Sequence, residues 1–385
     1  MNFSVKIFYF FFIAFLVINV IKLFSFSQPP EDGNKCIQTY HQRFNDNYKI
    51  YAVPIPHELH FAGERVPLER FDVYEALDRE FLVNTYWQSQ TMLFIKRANR
   101  YFPVIEPILK ANGVPDDFKY MALIESGLKN VVSPMGATGY WQFMKGAARD
   151  YGLEVNSEID ERYHIEKSTE AACNYILESY RKYGSWTMAA ASYNVGRKGV
   201  SRQINRQKEE TFYDLLLNEE TSRYLYRTLA VKCILEKPDK YGFHFREYDL
   251  YPEIPKFKVK VDSSVTHWAD FADKFSTNYK ILKYFNPWLR QSYLKNPKKK
   301  TYYITLPEKG ARDIYHEIIK VKHESELQLQ NEAEEQKKKD EAYEKNTIIE
   351  NEEKINTPKK DSEKETRKTR RQKRREKKKK SGAGN

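Results

Sequence analysis

The chain has 385 residues, which excludes a peptide or a disulfide miniprotein and leaves room for about two or three domains of ~100 to 200 residues each. Hydrophobic residues make up 41% and charged residues 31%, but 15% aromatic, with 28 Tyr and 23 Phe, excludes disorder along the whole length. The formal charge is +12, and Arg367 to Lys380, with 11 basic residues and one acid, carries +10 of it, so a uniformly basic nucleic-acid-binding domain is excluded and the basicity belongs to a tail.

In chain order, Lys6 precedes an apolar run from Ile7 to Ile21 that is interrupted only by Asn19 and followed by Lys22. The run is shorter than the ~20 residues of a membrane span, and Ser25-Phe26-Ser27 offers small residues spaced for cleavage. Residues 1–27 are expected to be a signal peptide or a retained membrane anchor, which places the rest in the periplasm or cell envelope. Residues 28–75, rich in Pro, Asp, Asn and His without sustained periodicity, read as a linker or extended arm. Cys36, Cys173 and Cys233 lack CxxC spacing, so neither a zinc site nor a disulfide framework is indicated.

From about Ala76 the pattern is helical. Phe81 to Tyr101, Asp116 to Leu128, Gly139 to Tyr151, Ile165 to Tyr183 and Trp186 to Tyr193 place apolar residues three and four apart, with Gly152, Gly184 and Gly196 at expected helix ends. Residues 76–245 are therefore expected to form an all-helical domain. Residues 246–320 read as a small α+β module. Phe257 to Val261 and Tyr302 to Pro307 are its strands, and Val265 to Phe275 and Asn278 to Phe285 its helices. Residues 321–385 read as a solvated, disordered charged tail: Glu324 to Glu365 has 14 acids against 8 bases, and the basic block follows.

The chemistry concentrates between Asp116 and Tyr224. Asp116 stands where it can cap a helix that runs through Phe118, Met121, Ala122 and Ile124 to Glu125. A carboxylate at the C-terminal end of an apolar helix is disfavoured in its ionised form by desolvation and by the helix dipole, as a general acid working near neutrality requires. A lone Glu of this kind is more often a solvent-facing helix end. Here Ser133-Pro134-Met135-Gly136-Ala137-Thr138-Gly139 follows, a turn-forming stretch expected to lead into a helix whose first turn carries Trp141 and Gln142. Farther on, Ala189-Ala190-Ala191-Ser192-Tyr193-Asn194-Val195-Gly196 delivers a phenol and an amide where a closely packed helix ends.

In order and spacing these motifs resemble the lytic transglycosylase family with the goose-lysozyme-like fold. The resemblance rests on Glu125-Ser126, Gly139 to Gln142 and Tyr193-Asn194-x-Gly196, and extends through Asp160-Glu161-Arg162, Lys167 to Ala172 and Glu220 to Tyr224. It covers roughly residues 80 to 245. Asn286 to Leu289 and Ile304 to Pro307 resemble a degenerate LysM repeat. The fold class implied is mainly α, a lysozyme-like helical domain followed by a LysM-like α+β module and a charged tail.

The resemblance implies that Glu125 is the catalytic acid and base, that Ser126 completes its signature, and that Ser133, Gln142, Tyr193, Asn194 and Tyr224 line a glycan cleft. The implied substrate is peptidoglycan, cut between N-acetylmuramic acid and N-acetylglucosamine. Glu125 would protonate the leaving oxygen while the sugar's acetamido group stabilises the oxocarbenium-like centre. As base it would then close a 1,6-anhydro ring on the 6-hydroxyl. Tyr193 would bond the carboxyl or the developing oxazolinium. Tyr140 and Trp141 serve either as a sugar platform or as buried packing of the cleft wall.

Two other classes stand beside this one. A hydrolytic muramidase of the same fold would need a second acid, for which Asp160 and Glu161 are candidates, and a non-catalytic wall-binding protein would keep only the cleft and the module. No metal or cofactor is expected, since the sequence has neither an HExxH motif nor a Gly-rich nucleotide loop. The basic tail lacks interleaved aromatics and is expected to contact an anionic envelope polymer, lipid or acidic partner by charge, or to be solubilising only; no nucleic acid is expected.

Overall fold

The structure, a computed structural model, describes residues 49–356 together with 370–372 and 374. The apolar run at 7–21 and most of the basic block lie outside the described residues. Among the described residues no helix is long and apolar enough to cross a membrane. The chain divides into two compact units. One takes the chain up to Phe94 with Asn112–Ile124 and Cys173–His244, and the other takes Ile95–Ala111, Glu125–Ala172 and the chain from Phe245 on. One cut of this division falls between His244 and Phe245, beside the boundary expected at residue 245, but the stretches before it do not stay in one unit. Residues 125–172 group with the α+β module instead.

The helices are α1 (Phe71–Tyr86), α2 (Gln88–Ala111), α3 (Lys119–Ser126), α4 (Lys145–Asp150), α5 (Ile165–Tyr183), α6 (Trp186–Val195), α7 (Arg197–Gln207) and α8 (Glu219–Glu236). After them come α9 (Trp268–Asp273), α10 (Tyr279–Phe285) and α11 (Tyr315–Asn356). The strands form one hairpin, β1 (His60–Phe61) with β2 (Glu64–Arg65), and one antiparallel pair, β3 (Lys256–Val261) with β4 (Tyr302–Pro307), which α9 and α10 separate in sequence.

In the first unit α8 packs against α1 and α6. Val73, Leu77 and Phe81 recur every four residues and form one buried stripe on α1, while Leu225, Leu229 and Ile234 supply the facing side of α8. The small Ala189 and Ala190 of α6 are fully buried and let its backbone approach closely.

Residues 49–75 belong to the stretch expected to be a linker or extended arm, and they contribute to the core. Val53, Leu59, Phe61 and Val66 are buried, and helix begins at Phe71. Phe61 meets Phe118 edge-on at 5.1 Å between ring centroids, and Asp117 Oδ2 accepts from the Ala62 amide at 2.6 Å and from Lys232 Nζ at 2.7 Å. Polar composition hid this arm because a two-residue hairpin has no periodicity to read.

Glu64 of β2 also caps α6. Its carboxylate accepts from Ser185 Oγ at 2.9 Å, from the Thr187 amide at 2.9 Å and from the Trp186 amide. Those amides have no partner inside the helix, and a carboxylate there also complements the helix dipole. Glu64→Ala is expected to lower stability by about 1–2 kcal/mol, the range for loss of an N-cap. Urea unfolding of the two proteins measures it; equal midpoints would contradict the capping role.

Several helices depart from expectation. Phe81 to Tyr101 is two helices, because Trp87 leaves the helical backbone while the apolar spacing runs on through the break. Asp116 is not the N-cap. Pro115 holds that position, and the Asp116 carboxylate pairs with Lys119 Nζ at 2.5 Å. Of the helix expected over Gly139 to Tyr151 only Lys145–Asp150 forms, because Gly139 and Gln142 are held at φ +82° and +48°. Of the low-complexity segment expected to be disordered, residues 321–356 continue α11 and are exposed over most of their described side chains.

In the second unit β3 and β4 pair from Lys256↔Pro307 to Val261↔Tyr302. Tyr302, Ile304 and Leu306 point inward, and Tyr303 is exposed, as strand alternation requires. They pack with Trp268, Leu282, Trp288 and Leu289 in a core that also contains Ile159 and Tyr163. The fully buried Asn286 amide accepts from the Thr305 amide at 2.8 Å and donates to the Thr305 carbonyl at 2.6 Å, so the Asn-Pro-Trp-Leu turn is fastened to β4.

Candidate active site

Glu125 is the penultimate residue of α3 and is half-buried. The helix ends directly after it because Gly127 and Leu128 both take left-handed backbone, φ +61° and +54°. Leu128, for which this conformation is strained, is held by near-complete burial. Arg97 Nη1 donates to the Gly127 carbonyl at 2.9 Å and occupies one acceptor at the helix end. Ser126, which completes the Glu-Ser signature of the resemblance, lies buried with its hydroxyl donating to the Tyr140 carbonyl at 2.8 Å. It fastens the residue beside Glu125 to the following loop.

That loop, 131–143, is a small knot of backbone bonds. Thr138 and Phe143 exchange two at 3.1 Å, the Gly139 amide donates to the Val131 carbonyl at 2.9 Å, and the Ser133 amide donates to the Ala137 carbonyl at 2.8 Å. Ser133 Oγ accepts from the Ala137 amide at 3.0 Å. Gln142 Nε2 donates to the carbonyls of Gly139 at 2.8 Å and Val131 at 3.1 Å, so its nitrogen serves the loop.

Trp141 is 0% exposed and its Nε1 donates to Thr169 Oγ1 at 2.9 Å. Of the two readings of this ring, platform and packing, the geometry selects packing. Tyr140 is 7% exposed, its ring lies 5.4 Å from that of Tyr101, and its hydroxyl receives a long bond from Asn130 Nδ2 at 3.4 Å. Burial pushes this phenol well above its usual range, so it stays protonated.

Asp160, Glu161 and Arg162 are buried. The Arg162 guanidinium binds both Asp160 oxygens, at 3.0 and 2.8 Å, and its Nη1 donates to the carbonyls of Gly136 and Phe143, each at 3.1 Å. Glu161 accepts from the Glu154 amide at 2.8 Å and pairs with Lys167. Both acids named as candidates for a second catalytic carboxylate thus have structural partners. Nothing in the spacing of Arg162 and Thr169 marks the bonds they make; the Asp-x-Arg adjacency is the one sequence signal of the buried pair.

Tyr193, Asn194 and Tyr224 belong to the other unit. Tyr193 meets Tyr175 edge-on at 5.2 Å. Asn194 Oδ1 accepts from Thr221 Oγ1 at 2.7 Å and its Nδ2 donates to Glu220 at 3.2 Å, which ties the end of α6 to the first turn of α8. Tyr224, one turn along α8, is buried.

His164 lies where residues 160–166 meet the α+β module, its ring 5.6 Å from that of Trp288. Desolvation lowers its pKa from 6.5 to about 4, against an opposing attraction from Glu166. Folded protein therefore binds fewer protons than unfolded protein between about pH 6.5 and 4, and this contribution to stability is present above that window and lost as pH falls through it. Stability is expected to fall by up to about 1.4 kcal/mol per pH unit there, and by less in His164→Gln. Chemical denaturation of both proteins at a series of pH values gives the difference; parallel curves would remove His164 as the cause.

Residues 102–216 match the family model of the transglycosylase SLT domain, and residues 257–310 match that of the soluble lytic transglycosylase C-terminal LysM-like domain. The chain thus carries an SLT transglycosylase domain, with Glu125 inside it, followed by a LysM-like domain. It is similar to two curated proteins, the membrane-bound lytic murein transglycosylase D of Escherichia coli strain K12 and that of Escherichia coli O6:H1. Each is 28% identical over 223 residues, which is 56% of this chain and 48% of the relative. The chain spans about half the length of these relatives.

Proposed function

We propose that this protein is a lytic murein transglycosylase of the cell envelope, a glycosidic-bond lyase that cuts peptidoglycan between N-acetylmuramic acid and N-acetylglucosamine. Glu125 first protonates the leaving oxygen, while the muramic acetamido group stabilises the positive centre. The same carboxylate, now ionised, takes the proton of the 6-hydroxyl as the 1,6-anhydro ring closes, so no water is consumed and the acid is regenerated. Gln142, through its amide oxygen, and Ser133 are given contact with the sugar by the resemblance, which assigns glycan binding to Tyr193, Asn194 and Tyr224 as well.

The observation that carries this reading is a half-buried carboxylate at the end of an apolar helix inside the SLT match, with the nearby acids Asp160 and Glu161 already paired to Arg162 and Lys167. Hydrolysis by the common two-carboxylate route requires a second acid with access to water, and this arrangement offers neither of those two for it. Digestion of purified glycan strands followed by mass analysis tests the proposal. The expected products are lighter by one water than those of a hydrolase; full-mass reducing ends would establish hydrolysis instead.

A further inference from the structure

The LysM-like module and the SLT segment 154–166 are joined far more intimately than two modules on a linker would be. The Asp160 amide donates to the Trp288 carbonyl at 2.9 Å and the Arg290 amide to the Glu158 carbonyl at 2.7 Å. The Lys295 amide donates to Glu158 Oε2 at 2.7 Å, and Tyr302 OH to Glu154 Oε2 at 3.1 Å. Ile159 and Tyr163 are packed inside the module's own core. The same segment ends in the clamp on the loop: Asp160 fixes the Arg162 guanidinium, which holds the Gly136 and Phe143 carbonyls. From that loop Tyr140 holds Ser126, the neighbour of Glu125. An unbroken series of bonds therefore runs from Trp288 through Asp160 and Arg162 to the loop beside the catalytic carboxylate.

We infer that Arg162 is a positioning residue for the 136–143 loop and that the LysM-like module, through Trp288 and Asp160, acts as a brace that holds this clamp in place. The inference rests on the function proposed above for its kinetic consequence, but not for its structural one. Arg suits the task because its planar fork grips a carboxylate with two nitrogens and leaves the third to reach both carbonyls. A lysine keeps the charge but cannot make all four bonds.

The test uses the full chain with two variants, Arg162→Lys at the clamp and, on the module side, Trp288→Leu, which keeps the carbonyl that Asp160 binds but removes the ring that seats it against His164 and Tyr302. Hydrogen exchange read by mass spectrometry is expected to speed up about tenfold in peptides covering 136–143, with α6 and α8 unchanged. On purified glycan, kcat per folded chain is expected to drop about tenfold or more, with KM within about twofold, as misplacement of a catalytic group requires. Unchanged loop exchange in a folded variant would overturn the brace. Faster loop exchange with wild-type kcat would overturn the positioning role, and exchange rising equally everywhere would reduce both variants to general destabilisation. If Arg162→Lys does not fold, Trp288→Leu decides the matter. Should the wild type leave glycan uncut, the proposed function fails, and the exchange measurement still settles the brace.

Discussion

Glu125→Gln is expected to stop the release of anhydro-muropeptides from purified glycan, with kcat reduced by about 10²- to 10⁴-fold, the contribution of a positioned acid or base. On the mechanism proposed above the upper end of that range applies, because a single carboxylate would perform two proton transfers in succession and an amide would perform neither. The substitution keeps the side chain's size at a half-buried position, so the protein is expected to stay folded. Mass analysis of products, with thermal unfolding in parallel, separates lost chemistry from lost structure. Comparable turnover by the variant would show that position 125 is not the acid. Turnover that fell only in step with the folded fraction would make Glu125 structural.

Gly139→Ala carries the largest expected effect on the fold. Gly139 sits at φ +82°, and a Cβ built on it would lie 1.9 Å from the Arg162 carbonyl oxygen and 2.6 Å from its carbon. Both neighbours are backbone, so no side chain can swing aside. The strained conformation alone costs an alanine about 1–2 kcal/mol, and displacing the Arg162 peptide adds overpacking strain, for a total of at least about 3 kcal/mol. Gly136→Ala supplies the comparison. Gly136 is at φ +84° with nothing within 4 Å of the added carbon, and only the same backbone penalty of about 1–2 kcal/mol is expected there. Denaturant unfolding of the pair measures the difference; equal losses would mean that contact with Arg162 plays no part.

What could be read from the sequence was local. Helix α5 runs from Ile165 to Tyr183 and β4 from Tyr302 to Pro307, both as their periodicity predicts, since each has one apolar face. The turn at 139–144 was not readable as such. Its left-handed residues are set by the Val131 carbonyl and by Arg162, partners separated from it in sequence, whereas the local apolar spacing suggests helix. The same limit applies to the site. The position of Glu125 at the end of an apolar helix was visible in the order of residues. That Ser126 and Trp141 face inward, and that Asp160 belongs to a clamp, depends on long-range bonds that no spacing encodes.

Helix α11 is a rod of 42 residues. At the usual rise per residue it is about 60 Å from end to end, roughly twice the thickness of a bilayer's hydrocarbon layer. Inserting or deleting whole turns of α11 would change its length by about 5.4 Å each, like marks on a ruler.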